Sequence, residues 1–235
     1  MPRKHREKSA SGGYNLRDVI LGGQDGLVNV LGVILAVATA TQDAKIVIIA
    51  GLAATFAESI SMAAVAYTST KAARDFYVGK VRRERKDIES MPNIGKEEIR
   101  DIYRKKGFRG RTLNEIVRTI TADKYLWLRT IMEEKMHLHP EESVSPGRDA
   151  WIVGLSAFVG SLVPLLPFFF VNIHLGVILS LMFSITVLFV TGVIKNYITI
   201  GNPLRGGLEI AIIGMAAAII GYAIGAILGV MLYAT

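Results

Sequence analysis

The sequence predicts an all-α integral membrane protein of five transmembrane helices, with a small cytosolic helical insertion between the second and the third. Three observations predict it. Apolar residues make up 51% of the 235 and gather into five long stretches, and the mean hydropathy is +0.39. A hydrocarbon core about 30 Å thick needs around 20 such residues at 1.5 Å each. No stretch alternates with period two, so a barrel, the other structure that satisfies its own backbone in lipid, lacks its pattern. Finally, of the 27 Lys and Arg, all but Lys45 fall on one side of a five-span topology.

The first span is read as Asp18 to Thr41. It follows a basic N-terminal segment, residues 1 to 17, which holds five Lys and Arg. Asp25 in mid-span and the want of a small-residue cleavage site argue against a signal peptide, so the N-terminus is expected to be retained. The second span runs from Ile46 to Tyr67. The remaining three are Ala150 to Val171, Leu175 to Ile194 and Gly206 to Tyr233, within a closing region of residues 149 to 235.

Residues 68 to 148 form the insertion. Residues 71 to 148 alone carry nineteen basic and thirteen acidic groups, a local charge of +6 within a total of +7. The positive-inside rule makes that side cytosolic, with the N-terminus inside and the C-terminus across the membrane. Such a basic surface answers topology and anionic lipid; the aromatic platforms of a nucleic-acid binder are not arranged here, so nucleic acid is not an expected partner. The absence of Cys agrees with a cytosolic setting.

Apolar residues three or four apart predict three helices in the insertion. The first continues the second span as a stalk through Lys71, Arg74, Asp75 and Arg85 to Glu89, stopping before Pro92. The second covers Lys96 to Lys106 and ends at Gly107. The third covers Thr112 to His137, opened by a Thr112 to Glu115 capping box and closed before Pro140. Ile116, Ile120, Leu126 and Leu128 are expected to supply the packing faces. In the last spans Gly201, Gly206, Gly207, Gly214, Gly221, Gly225 and Gly229 predict close helix packing, either within the chain or in a dimer.

Ionisable residues inside a bilayer are costly, which makes Asp25 and Glu58 candidates for function. At 1.5 Å per residue both sit roughly 12 Å from the cytosolic face. Asn29 lies one turn from Asp25, and Met62 one turn from Glu58, on the same helix faces. Carboxylate, amide and thioether ligands together suit a divalent transition ion such as Fe²⁺. The competing reading pairs the two acids through a shared proton, or through Ser59 and Ser61, and leaves Met62 to packing.

A second set of metal candidates lies in the insertion: Glu84 and Asp87 on the stalk, Glu97 and Glu98 at the next helix, and Met132, Glu133 and Glu134 on the third. Its rival is a solvated face of ion pairs, since Arg82, Arg83, Arg85 and Lys86 surround the first two. His137 and His139 diverge by about 200° on a helix and read as surface residues. The Gly22-Gly23-Gln24-Asp25-Gly26 run lacks the strand and the Lys of a nucleotide loop. With no zinc-protease motif, no Cys nucleophile and no Ser opposite a His within a span, an enzyme is not expected.

Asp25-Gly26-Leu27, Ile60-Ser61-Met62 with Tyr67, and Asp75 to Tyr77 resemble the vacuolar iron transporter family. So does the closing run of Gly192, Lys195, Asn202, Arg205, Gly207, Glu209, Gly221-Tyr222 and Gly225. The resemblance covers nearly the whole chain in order. It implies a homodimeric antiporter that exports Fe²⁺, often also Mn²⁺, from the cytosol against protons, with no organic cofactor. Asp25 and Met62 match the family's metal-binding Asp and Met in the membrane; Glu84, Asp87, Glu98 and Met132 match its cytosolic ligands less closely.

Two departures stand out. The family's second-span Glu falls on Ala54, one helical turn before Glu58, so the acid is displaced along the same face. Gly95 and Lys135 replace two cytosolic glutamates, which weakens that site. The expectation is a proton-coupled metal exporter in which Asp25 and Met62 bind the ion, Asn29 assists, and Glu58 binds it or carries the proton. The alternative is a non-transporting membrane module whose basic helices bind a partner or anionic lipid.

Overall fold

The computed structural model describes residues 3–138, 145–199 and 201–233. Among them there is no strand. The helices are α1 (Arg3–Thr41), α2 (Ala44–Ser90), α3 (Pro92–Lys105), α4 (Gly110–Ala122), α5 (Lys124–Thr130), α6 (Pro146–Leu165), α7 (Ile173–Ile198) and α8 (Pro203–Tyr233), with a π-helical turn at Ile131–Lys135 and a 3₁₀ turn at Leu166–Phe169. Five are long and apolar enough to cross a membrane, α1, α2, α6, α7 and α8, as an integral membrane protein requires. The chain forms two compact units, one of residues 1–68 with 145–235 and the other Ser69–Val144; the boundary falls inside α2.

In the first unit α1 is the central helix. Val30, Leu31 and Ile34 are fully buried, and Leu31 and Leu35 pack with Ala218 of α8. Glycine is what lets the backbones approach. A Cβ at Gly22 or Gly26 would strike the Val153 or Ala157 carbonyl of α6, and one at Gly160 would strike Gly23. The stripe Gly221, Gly225 and Gly229 on α8 lies against Gly32, Ala36 and Ala40 of α1. The Gly-x-x-x-Gly face therefore packs within the chain, which decides between the two uses open from sequence. Gly206 and Gly207 do the same against α7.

The connections are capped by short polar side chains. Asn172 Oδ1 accepts from Leu175 N at 3.0 Å at the start of α7, and Asn202 Oδ1 accepts from Leu204 N at 3.1 Å at the start of α8. Between α1 and α2, Gln42 takes a left-handed backbone with φ 54°. α2 packs inward through Gly51, beside Ile34 and Leu165, and through Ala63, 2.8 Å from the position a Cβ would take at Gly154. Its opposite face leaves Ile49 and Ile60 each 69% exposed in the single chain.

The second unit is built on its own apolar core of Ile88, Ile99, Leu113, Val117, Ile120, Trp127, Leu128, Ile131 and Met132. Three sequence expectations need correction. The helix expected from Lys96 starts at Pro92, because proline's fixed φ and missing N–H suit the first helical position. The single helix expected over Thr112 to His137 is broken at Asp123, whose carboxylate accepts from Tyr125 N at 2.8 Å and Leu126 N at 3.2 Å and so opens a new helix. The Thr112 to Glu115 capping box does not form: the N-cap is Arg109, and Glu115 instead pairs with Arg111 at 2.9 Å. Of the expected packing residues, Leu126 is exposed. Pro140 and His139 lie outside the described residues.

Candidate functional site

The first unit brings three of the sequence-selected polar residues together. Asp25 and Asn29 are one turn apart on α1, and Asn29 Nδ2 donates to Glu58 Oε1 of α2 at 3.1 Å. Asp25 stands on the same side of α1 as Asn29, which places its carboxyl beside this hydrogen bond. Carboxylate oxygens of this kind suit a divalent cation.

Met62 lies half-buried one turn beyond Glu58. The Ser59 hydroxyl is spoken for, donating to the Thr55 carbonyl of its own helix at 2.6 Å. Asn29 is exposed in the single chain, while Asp25 and Glu58 are half-buried. The cluster thus lies on the open side of the bundle and not in its core. Among the described residues no group of three or more His, Asp or Glu gathers closely enough to hold a metal ion. An ion bound here would complete its coordination with the Asn29 amide oxygen, the Met62 sulfur or water.

A cavity of about 560 Å³ in the same unit, lined by Leu16, Leu27, Ile152, Val163 and Leu188 among others, has no charged side chain on its wall. It offers nothing to a cation. Sequence reading missed three other features of this unit, the fully buried hydroxyls of Ser161, Ser180 and Ser184, which have no hydrogen-bond partner. The only signal for them in the sequence is the four-residue spacing of Ser180 and Ser184 on α7. Arg205 N lies 3.3 Å from Asn202 Oδ1 at the α8 cap, Lys195 is half-exposed near the end of α7, and Glu209 is exposed on α8.

The second unit sorts the remaining candidates. Glu84, Asp87 and Glu98 line a cavity of about 110 Å³ together with Gly95 and Lys135. Burial pushes the Glu84 carboxyl above its ordinary range, with Lys135 pulling it back and Glu98 and Asp87 pushing it further. Arg82, Arg83, Arg85 and Lys86 point to solvent and do not line the cavity. The other candidates are elsewhere: Glu97 pairs with Arg100, Glu133 with Arg129 at 2.7 Å, and Glu134 with Lys106 at 2.5 Å. Met132 is 1% exposed in the apolar core. His137 is exposed, with a left-handed φ of 53°.

The chain is 30% identical over 222 residues to vacuolar iron transporter 1 of Tulipa gesneriana, covering 94% of this chain and 90% of that one. It is 27% identical over 214 residues to vacuolar iron transporter 1 of Arabidopsis thaliana, covering 91% and 86%. It is 28% identical over 235 residues to the vacuolar iron transporter of Plasmodium falciparum (isolate 3D7), covering 96% and 86%. The family model described as VIT family matches residues 16–226, nine-tenths of the sequence, and the chain belongs to that family.

Proposed function

We propose that this chain carries Fe²⁺, and with it Mn²⁺, out of the cytosol in exchange for protons. The observation that carries the reading is the Asp25, Asn29 and Glu58 cluster, in which Asn29 of α1, one turn from Asp25, donates a hydrogen bond to Glu58 of α2. With a proton between them, the acids hold a single negative charge. When a divalent cation arrives, the proton leaves and both carboxylates become ligands. Asn29 presents its amide oxygen, and Met62 adds a thioether that favours Fe²⁺ or Mn²⁺ over Mg²⁺ and Ca²⁺. One ion in and one proton out, at the same oxygens, is the elementary step of an antiporter.

Direction and assembly follow from the same reading. The basic N-terminus and the inserted unit face the cytosol, and the C-terminus lies across the membrane. A polar cluster on the open side of a helix bundle is costly against lipid, so a second copy of the chain covers it, and the ion passes between two subunits. The relatives' names support iron as the substrate.

The test uses purified protein in sealed vesicles with a pH-sensitive dye inside. Fe²⁺ or Mn²⁺ added outside drives proton movement in the wild type and none in Asp25→Ala. Wild-type vesicles that move neither ion sink the reading.

A further inference from the structure

The acidic cavity of the inserted unit contains its own cation. Glu84, Asp87 and Glu98 line it, and the basic side chain on the same wall is Lys135, whose Nζ donates to Glu98 Oε1 at 2.6 Å. Glu84 is only 8% exposed, yet no hydrogen bond reaches it among the described residues. A buried carboxylate without a donor takes up a proton unless a positive charge lies nearby to hold it ionised. The arginines and the lysine beside it in sequence are turned to solvent. Lys80 acts on Glu84 through space but is not on the cavity wall.

We infer that the Lys135 ammonium is the resident cation of this cavity, filling the electrostatic place a divalent metal ion would take, so that the inserted unit holds its acids without a metal. An ammonium is a compact charge with three donors, suited to a ring of carboxylates. It is tethered, so it occupies the cavity at high effective concentration, and an incoming ion must displace it. Among the described residues no three acids are grouped to hold a metal ion. Gly95 completes the wall, and a Cβ there would come within 2.9 Å of the Trp127 ring, so the indole takes the room a longer side chain would need. This inference is independent of transport at Asp25 and Glu58.

Trp127 makes the test direct. The chain has two tryptophans. With Trp151→Phe, Trp127 is the sole emitter, and it lies against the cavity wall. In the full-length protein in detergent, Mn²⁺ titrated to millimolar concentration produces no saturable quenching while Lys135 is present, and Lys135→Arg behaves the same. Lys135→Gln gains saturable quenching in the same concentration range, with an apparent affinity tighter by up to about fivefold, the worth of one partly exposed ion pair. Adding Glu84→Gln removes it.

Saturable quenching with Lys135 intact that Glu84→Gln abolishes overturns the inference. So does a folded Lys135→Gln that gains none. Should that variant fail to fold, the titration of the lysine-containing chain and its Glu84→Gln partner decides the matter alone.

Discussion

At the scale of single residues, charge is kept inside this protein only where something answers it. Glu58 is answered by Asn29, which donates to it one helical turn from Asp25. Replacing Asp25 by Asn leaves shape and polarity but takes away the exchangeable proton, so metal-driven proton flux should fall at least tenfold while the protein stays folded. Flux retained in Asp25→Asn would mean that Glu58 alone carries the exchange. Glu84 poses the reverse case, a carboxylate whose burial outweighs its neighbouring lysines. A raised value in the folded state means that the folded unit binds the extra proton. Stability is thus lost as pH climbs from the ordinary 4.5 through the raised value. Glu84→Gln should remove that loss, raising the unfolding midpoint at pH 7 and leaving it unchanged at pH 4.

At the scale of elements, the helices of the first unit are held by close backbone approach and those of the second by an ordinary core. Gly225 faces the Ala36 backbone. Backbone cannot swing aside as a flexible side chain can, so Gly225→Leu should separate α1 from α8 at a cost of about 1–3 kcal/mol. The check is a lower thermal midpoint in detergent, beside an unaffected Ile224→Leu control on the exposed neighbouring position. In the second unit Asp123 separates α4 from α5 by accepting two backbone N–H groups. Asp123→Ala should cost about 1 kcal/mol, read from thermal unfolding followed at Trp127.

At the scale of the whole molecule, the five apolar helices give the membrane-spanning body a transporter needs, and in the proposed function the acids of α1 and α2 are where an ion meets it. A polar cluster on the open face of α1 and α2, beside exposed Ile49 and Ile60, is costly against lipid, and in the proposed function a second copy covers it. Cysteine placed at Ile60 of this Cys-free chain should therefore cross-link two copies in native membranes. Cysteine at Ile213 on α8, also exposed in the single chain, should not.

Much of this was legible in the sequence because membrane physics is coarse. Length and hydropathy suffice to find a span, since lipid leaves a backbone few other solutions, and depth arithmetic suffices to put Asp25 and Glu58 at one level. Within the inserted unit the same reading went astray. Asp123 in a run of helical periodicity gives no sign that its side chain will cap and not continue, and Met132 among acids gives no sign that it faces a core. Nor does linear order tell whether Gly221 and Gly225 meet α1 or another copy. What the sequence by itself determined is the class, the spans and the two acids, because each follows from the solvent. What only the tertiary structure decided is which groups meet: Asn29 with Glu58, the glycine stripe with α1, and Lys135 with Glu98. Those pairings depend on helix rotation and side-chain direction, which become definite only when the elements are packed.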